Sequence, residues 1–201
     1  MIGVINYGCS NVNAVKNILD SLHIKNKILT DGKQSSSIDK YILPGVSSFD
    51  SSMSRINDFH QWNNVFEDII YKKKYILGIC VGMQLLGKKS EEGIESGLSL
   101  IDDQVFKFKH SSNLPVPHMG WNNLHIDNDS KLLNGINEES YFYFCHSYCF
   151  QNSNSKNVIA STNYGENFCS VINYENVFGV QFHPEKSHKN GEKIFLNFDA
   201  I

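Results

Sequence analysis

No stretch of this 201-residue chain approaches the ~20 consecutive apolar residues that a membrane helix needs, so no membrane span is expected. No basic stripe is present either; the formal net charge is −3, which speaks against a nucleic-acid partner. The opening residues MIGVINYG lack the basic region, apolar core and small-residue cleavage site of a secretory signal. Five cysteines, Cys9, Cys80, Cys145, Cys149 and Cys169, make an odd number without such a signal, so reduced thiols in the cytoplasm are expected. Cys145 and Cys149 flank His146, which raises the question of zinc. Structural zinc sites usually bring a second Cys or His pair at short spacing, whereas this segment is aromatic and strand-like, so neither metal nor other cofactor is expected. There is no repeat, no low-complexity block and no linker rich in Gly, Ser or Pro. Residues 1–201 are therefore expected to form one domain.

What is present is a series of short apolar runs separated by helical periodicity. IGVIN (2–6) reads as a strand, and Val12, Val15, Ile18, Leu19 and Leu22 follow at helical spacing. KILT (27–30) and YILPG (41–45) are further strands, the second ended by a Pro-Gly turn. Residues 60–74 read as a helix with Trp62, Phe66, Ile69 and Ile70 on one face and Lys72–Lys74 in its last turn, where cations suit the helix dipole. YILGI (75–79) is the next strand. Strands that are nearly continuous apolar runs, alternating with helices, indicate a parallel sheet covered on both faces. The second half is richer in strand: 105–110, 122–126, 141–146, 158–162, 168–174 and 177–182, with a tight hairpin turn at 175–177 and a closing helix over 190–199. The predicted fold class is α/β, a central mostly parallel sheet flanked by helices with an antiparallel annex.

Three motifs carry chemistry. Gly78-Ile79-Cys80-Val81-Gly82 follows an apolar strand and precedes Met83-Gln84-Leu85-Leu86, the pattern of a nucleophile elbow with Cys in place of Ser. Such a turn sets the sulfur at the sheet's C-terminal edge and over a helix N-terminus, which favours a thiolate. Gly179-Val180-Gln181-Phe182-His183-Pro184-Glu185 ends the last strand with a His and a Glu two apart; on extended chain they point the same way. A Cys–His–acid set supplies a base for the thiol and later an acid for a leaving amine. Leu43-Pro44-Gly45-Val46-Ser47 closes a strand with a turn whose N–H groups suit a developing oxyanion, and the Val81 N–H would be a second donor.

Together these residues resemble the class I, triad-type glutamine amidotransferases over nearly the whole chain. More closely, the sequence is similar to the glutaminase subunits of imidazole glycerol phosphate synthase: NYGCSNVNAV, LPGV, GICVGMQLL, VPHMGWN (116–122), YFCHSY (143–148) and GVQFHPEKS (179–187) occur in that family's order. PHMGWN and HPEKS are the most specific. The resemblance implies a flavodoxin-like fold, with Cys80 as nucleophile, His183 as base and Glu185 as its orienting acid. It implies Gly45, Val46 and Val81 at the oxyanion hole, and Gln84 with His146, Ser147 and Tyr148 around the substrate L-glutamine. It further implies a (β/α)₈-barrel cyclase subunit docked in a heterodimer near Asn11, Trp121 and Lys186, receiving ammonia to make imidazole glycerol phosphate and AICAR in histidine biosynthesis. The chain departs from the family pattern at Ser47 and Ser48, where Gly and Ala are common, at Asn6 for Asp and at Ser10 for Gly. A Cβ at Ser47 restricts the oxyanion loop more than Gly would. Paralogues feeding ammonia into amidino-sugar synthesis would carry the same triad, so that pathway stays open from the sequence. So do a non-catalytic binding subunit and a cysteine peptidase on the same sheet, although the intact triad and Gln84 favour an active glutaminase.

Overall fold

The computed structural model describes residues 1–57, 62–108, 114–151 and 156–201. Four apolar runs form the parallel heart of the molecule: β1 (Ile2–Ile5), β3 (Lys40–Gly45), β4 (Tyr75–Cys80) and β13 (Val177–Val180), with β2 (Asn26–Leu29) outside β1. β12 (Glu166–Tyr174), β11 (Val158–Tyr164) and β8 (His125–Ile126) extend the sheet antiparallel, in the order β2-β1-β3-β4-β13-β12-β11-β8. The first five positions repeat the flavodoxin-like order, with β13 in fifth place.

Alternation along these strands builds a core on each face. Val4, Ile42, Leu77 and Ile79 face α1 (Val12–Ser21) and α5 (His188–Ala200), where Val15, Leu19, Ile194, Phe195 and Phe198 meet them. Ile5, Tyr41, Leu43 and Ile76 face α2 (Phe49–Asn57) and α3 (Asn63–Ile70), meeting Phe49, Met53, Val65 and Ile69. Each such side chain, fully buried, contributes about 1.5–3 kcal/mol. Asn11 begins α1 by accepting from the Ala14 N–H at 3.4 Å. Among the described residues no helix is long and apolar enough to cross a membrane.

Several elements differ from their sequence reading. The helix expected over 60–74 is α3; residues 60 and 61 lie outside the described residues, and Ile70 points outward, 44% exposed. The buried face instead carries Asp68, a carboxylate that accepts from Tyr41 Oη at 2.5 Å and pairs with Lys72 and Lys74, each at 2.7 Å. Those two lysines therefore sit beyond the helix and reach back to one buried anion, rather than lining its last turn. The run 122–126 is broken: β7 (His118–Asn123) pairs with β9 (Tyr141–His146) in a separate two-stranded sheet, and Leu124 marks the crossing to β8. The run 105–110 gives β6 (Gln104–Lys107), with 109 and 110 outside the described residues; it joins β10 (Tyr148–Phe150) and β5 (Lys89–Ser90) in a third sheet. The antiparallel part is thus one extension of the main sheet plus two small sheets. The hairpin at 175–177 is present as a two-residue turn with Tyr174 opposite Val177 and Glu175 at φ +52°. α2 has no counterpart in the sequence reading, because FDSSMSRIN is too polar to announce an apolar face.

Because β3, β4 and β13 are parallel neighbours, their C-terminal ends leave the sheet at one edge. That juxtaposition assembles the site.

Candidate active site

At the end of β4 the backbone turns straight into α4 (Val81–Leu85), and Cys80 occupies the corner at φ +54°, ψ −112°. A residue with a Cβ rarely holds such a conformation unless its surroundings impose it. The flanking glycines show how tight the corner is. A Cβ on Gly78 would lie 2.6 Å from Gly82 O, and one on Gly82 would lie 1.8 Å from Leu43 O. Gly45 sits opposite Cys80 in the β3–β4 register, and a Cβ there would lie 2.8 Å from Val81 Cβ. Gly45, Val46 and Val81 are therefore one cluster beside the sulfur.

Residues 181–183 run off the end of β13 toward the same corner. His183 is held by its N–H to Tyr143 O at 2.8 Å, and Ser187 clamps it from the other side, accepting from Tyr143 N at 3.0 Å and donating to His183 O at 2.7 Å. His183 Nδ1 and Glu185 Oε1 are 2.8 Å apart, both side chains almost fully buried. Burial alone would depress the imidazolium. The Cys80 sulfur, by charge and by hydrogen bond, and then Glu185 outweigh it and raise His183 to about 10. An imidazolium held that firmly beside a sulfur, with a carboxylate fixing its far nitrogen, can take and return one proton at the Cys80 side.

Cys80 is 2% exposed, and its sulfur lies 3.8 Å from Cys145 O. Next to it lies a cavity of about 270 Å³ lined by Val46, Ser47, Val81, Gln84, Glu92 and the segment Cys145–Tyr148. Gln84 is buried and donates to Tyr148 O at 2.8 Å. His146 lines the cavity, but its imidazole is engaged elsewhere: Nδ1–H donates to Tyr148 O at 2.9 Å, and Nε2 accepts from His118 Nδ1 at 3.2 Å. Burial among Phe108, Phe144 and Phe168 lowers His118 to about 4 and His146 to about 3. Both rings are neutral at neutral pH.

The loop that follows β3 is braced from below. Tyr7 Oη donates to Pro44 O at 2.9 Å, and the Ser47 and Ser52 hydroxyls are 2.8 Å apart, so Ser47 ties the loop to α2. Asn6 accepts from Gly8 N at 3.1 Å, a role that an Asp would fill equally. Of the residues expected at a partner surface, Lys186 Nζ lies over the Tyr143 ring at 5.5 Å, and Trp121, 47% exposed, stacks on His188 and meets Tyr143 edge-on. Asn11 heads α1, which packs on the Pro184–Lys186 turn. Cys80, His183 and Gly45 thus meet where β3, β4 and β13 end, Gln84 and the segment Cys145–Tyr148 line the cavity beside them, and Trp121 and Asn11 lie on neighbouring elements. Sequence reasoning missed Gln181, Glu92, Ser187 and His118. Gln181, Ser187 and His118 stand inside quoted motifs, and Glu92, in a polar stretch, carries no local signal. Among the described residues no group of three or more His, Cys, Asp or Glu could hold a metal.

The family model for class-I glutamine amidotransferases matches residues 3–201. The chain belongs to that family. Within it, the chain is 42% identical over 205 residues, all of both chains, to a Leptospira interrogans protein named imidazole glycerol phosphate synthase subunit HisH. It is 41% identical over 198 residues, 98% of each chain, to a Pseudomonas aeruginosa protein with the same name numbered HisH 2. A crystal structure described as a glutamine amidotransferase superposes with a TM-score of 0.76 over 100% of this chain and 99% of that one, at 17% identity, a likeness of fold.

Proposed function

We propose that this chain hydrolyses L-glutamine to L-glutamate and ammonia, as the glutaminase subunit of a synthase in histidine biosynthesis. The observation that carries the reading is the strained Cys80 beside the buried His183–Glu185 pair, at the joint end of three parallel strands. Cys80 Sγ attacks the side-chain amide carbon; the carbon–nitrogen bond breaks, and His183 gives its proton to the departing ammonia. Water then attacks the thioester, His183 takes its proton, and the carbon–sulfur bond breaks to return the thiolate. The N–H groups of Gly45 or Val46 and of Val81 receive the oxyanion in both steps, and one such donor is worth about 3 kcal/mol, roughly a hundredfold in rate.

The cavity supports an amino acid as substrate. Gln84, with its NH₂ already committed to Tyr148 O, offers its oxygen, and Glu92 is the one carboxylate among the described lining residues; both suit an α-ammonium. The Ser147–Tyr148 backbone supplies polar groups for the α-carboxylate. A (β/α)₈-barrel subunit docks over the exposed Trp121 and Lys186 beside the site, with Asn11 at the rim, and receives ammonia without release into water. Closing such a surface over the cavity would turn on a glutaminase that is slow alone. The second reading is a glutaminase that feeds amidino-sugar synthesis with the same triad; Methanococcus maripaludis holds two relatives, named HisH 1 and HisH 2, so chains of this type occur in more than one form.

The test measures glutamate release by the chain alone, with a histidine-pathway barrel and its ligand, and with a sugar-pathway barrel. Cys80→Ala should abolish release in every case yet leave ammonia-driven synthesis by the complex intact. Turnover by Cys80→Ala would overturn the nucleophile, and stimulation by the sugar-pathway barrel alone would move the chain to the second reading.

A further inference from the structure

We propose that Gln181 is a further catalytic residue, whose side-chain N–H holds the Cys80 sulfur with a polarity dictated by the Tyr148 carbonyl through Gln84. The proposal rests on the glutaminase reading above. Gln181 is completely buried, one residue past β13 and two before His183. Alternate residues of the departing strand thus deliver a donor and the imidazole to the same sulfur. Its Nε2 lies 3.7 Å from Cys80 Sγ, a hydrogen-bonding distance for sulfur, and its Oε1 accepts from Gln84 Nε2 at 3.2 Å.

The direction of these bonds follows from one backbone group. A carbonyl only accepts, so Gln84 must present its NH₂ to Tyr148 O. The second hydrogen of that NH₂ then points at Gln181, which must answer with its oxygen. What remains to face Cys80 is the Gln181 NH₂. Turning Gln181 over would set NH₂ against NH₂ at Gln84 and an oxygen lone pair against the sulfur. The Tyr148 carbonyl is itself fixed by a second donor, His146 Nδ1–H, which is backed by His118. A polar chain therefore runs from a buried histidine pair to the nucleophile, and its last link is a neutral donor.

A neutral donor suits this place. The sulfur is shielded from water, so hydrogen bonds from protein must stand in for hydration of the thiolate. His183 supplies charge but gives up its proton during turnover; Gln181 loses nothing. It favours the thiolate before attack and again when the carbon–sulfur bond of the thioester breaks and the electron pair returns to sulfur.

The test compares wild type with Gln181→Met, which keeps length and removes the donor, and Gln84→Met, which leaves Gln181 in place but frees its orientation. The rate of Cys80 alkylation by iodoacetamide is followed by peptide mass from pH 5 to 10 on protein whose fold is checked by circular dichroism. At neutral pH, Gln181→Met should react about tenfold more slowly, the difference disappearing at high pH, since hydrogen bonds to charged groups are worth about that factor or more. Glutaminase kcat should fall similarly with KM little changed, whereas a residue that only packs would alter melting and leave the alkylation profile alone. Gln84→Met should show a smaller loss of the same form. Folded Gln181→Met with the wild-type profile overturns the proposal; should it not fold, an unchanged profile in Gln84→Met does so. If wild-type Cys80 is alkylated no faster than Cys9 and Cys145, the glutaminase reading itself fails.

Discussion

Replacing Gly82 by Ala should disable the site through its backbone alone. The added methyl would lie 1.8 Å from the Leu43 carbonyl oxygen, 2.8 Å from its carbon and 3.3 Å from the Pro44 carbonyl carbon. Carbon and oxygen approach no closer than about 3.3 Å even in C–H···O contacts, so β3 and α4 must separate by about 1.5 Å. Both partners are main chain, and no rotamer relieves the contact. The displacement is passed along Pro44 and Gly45 to Val46 on one side and along Val81 to Gln84 on the other, the two walls of the cavity. Overpacking of this kind costs about 1–3 kcal/mol, and backbone against backbone belongs at the upper end, about 3 kcal/mol. Misplacement by about 1 Å is worth roughly a hundredfold in rate. Gly179→Ala is the comparison: its methyl would meet Met83 Cγ at 2.5 Å, the flexible side chain of a methionine, so a loss of about 1 kcal/mol is expected. Urea unfolding and glutamate release by the folded protein measure both quantities. Gly82→Ala with stability within about 0.5 kcal/mol of wild type and a comparable rate would refute the argument.

Two further outcomes follow from the titrating groups. Cys80 is the strongest influence raising His183, so Cys80→Ala should lower the imidazole's titration from its native position near 10, followed by the ring proton resonances; an unmoved titration would mean that the sulfur and imidazole are not coupled. His118 is held at about 4 by burial, below its unfolded value near 6.5. The unfolded chain therefore binds more protons between those values, and stability falls as pH drops from about 6.5 toward 4. At pH 5 that amounts to about 2 kcal/mol for one ring, about 1 kcal/mol after allowance for screening. His118→Asn, which keeps a donor toward His146 Nε2, should remove this share of the loss between pH 8 and 5; equal acid sensitivity in wild type and variant would contradict it.

Apolar runs and tight-turn glycines are local properties, and they made the parallel strands, the elbow at Cys80 and the Glu175–Asn176 hairpin legible from the order of residues alone. The two-residue spacing of His183 and Glu185 was legible for the same reason, since it needs only extended chain. A sequence segment does not state which of its residues will find a partner far away, and every difference has that origin. Asp68 reads as the polar side of a helix, yet it faces inward because Tyr41, Lys72 and Lys74 converge on it. His146 and His118 lie 28 positions apart and become a neutral pair only when β7 and β9 align. Gln84, Gln181 and Tyr148 come from three elements, and the donor that Gln181 turns toward Cys80 is set by a carbonyl on the third. The sequence determined the reactive groups and the turns that present them. The tertiary structure decided their hydrogen-bond polarity and their charge, because both depend on buried partners that only folding brings within about 3 Å.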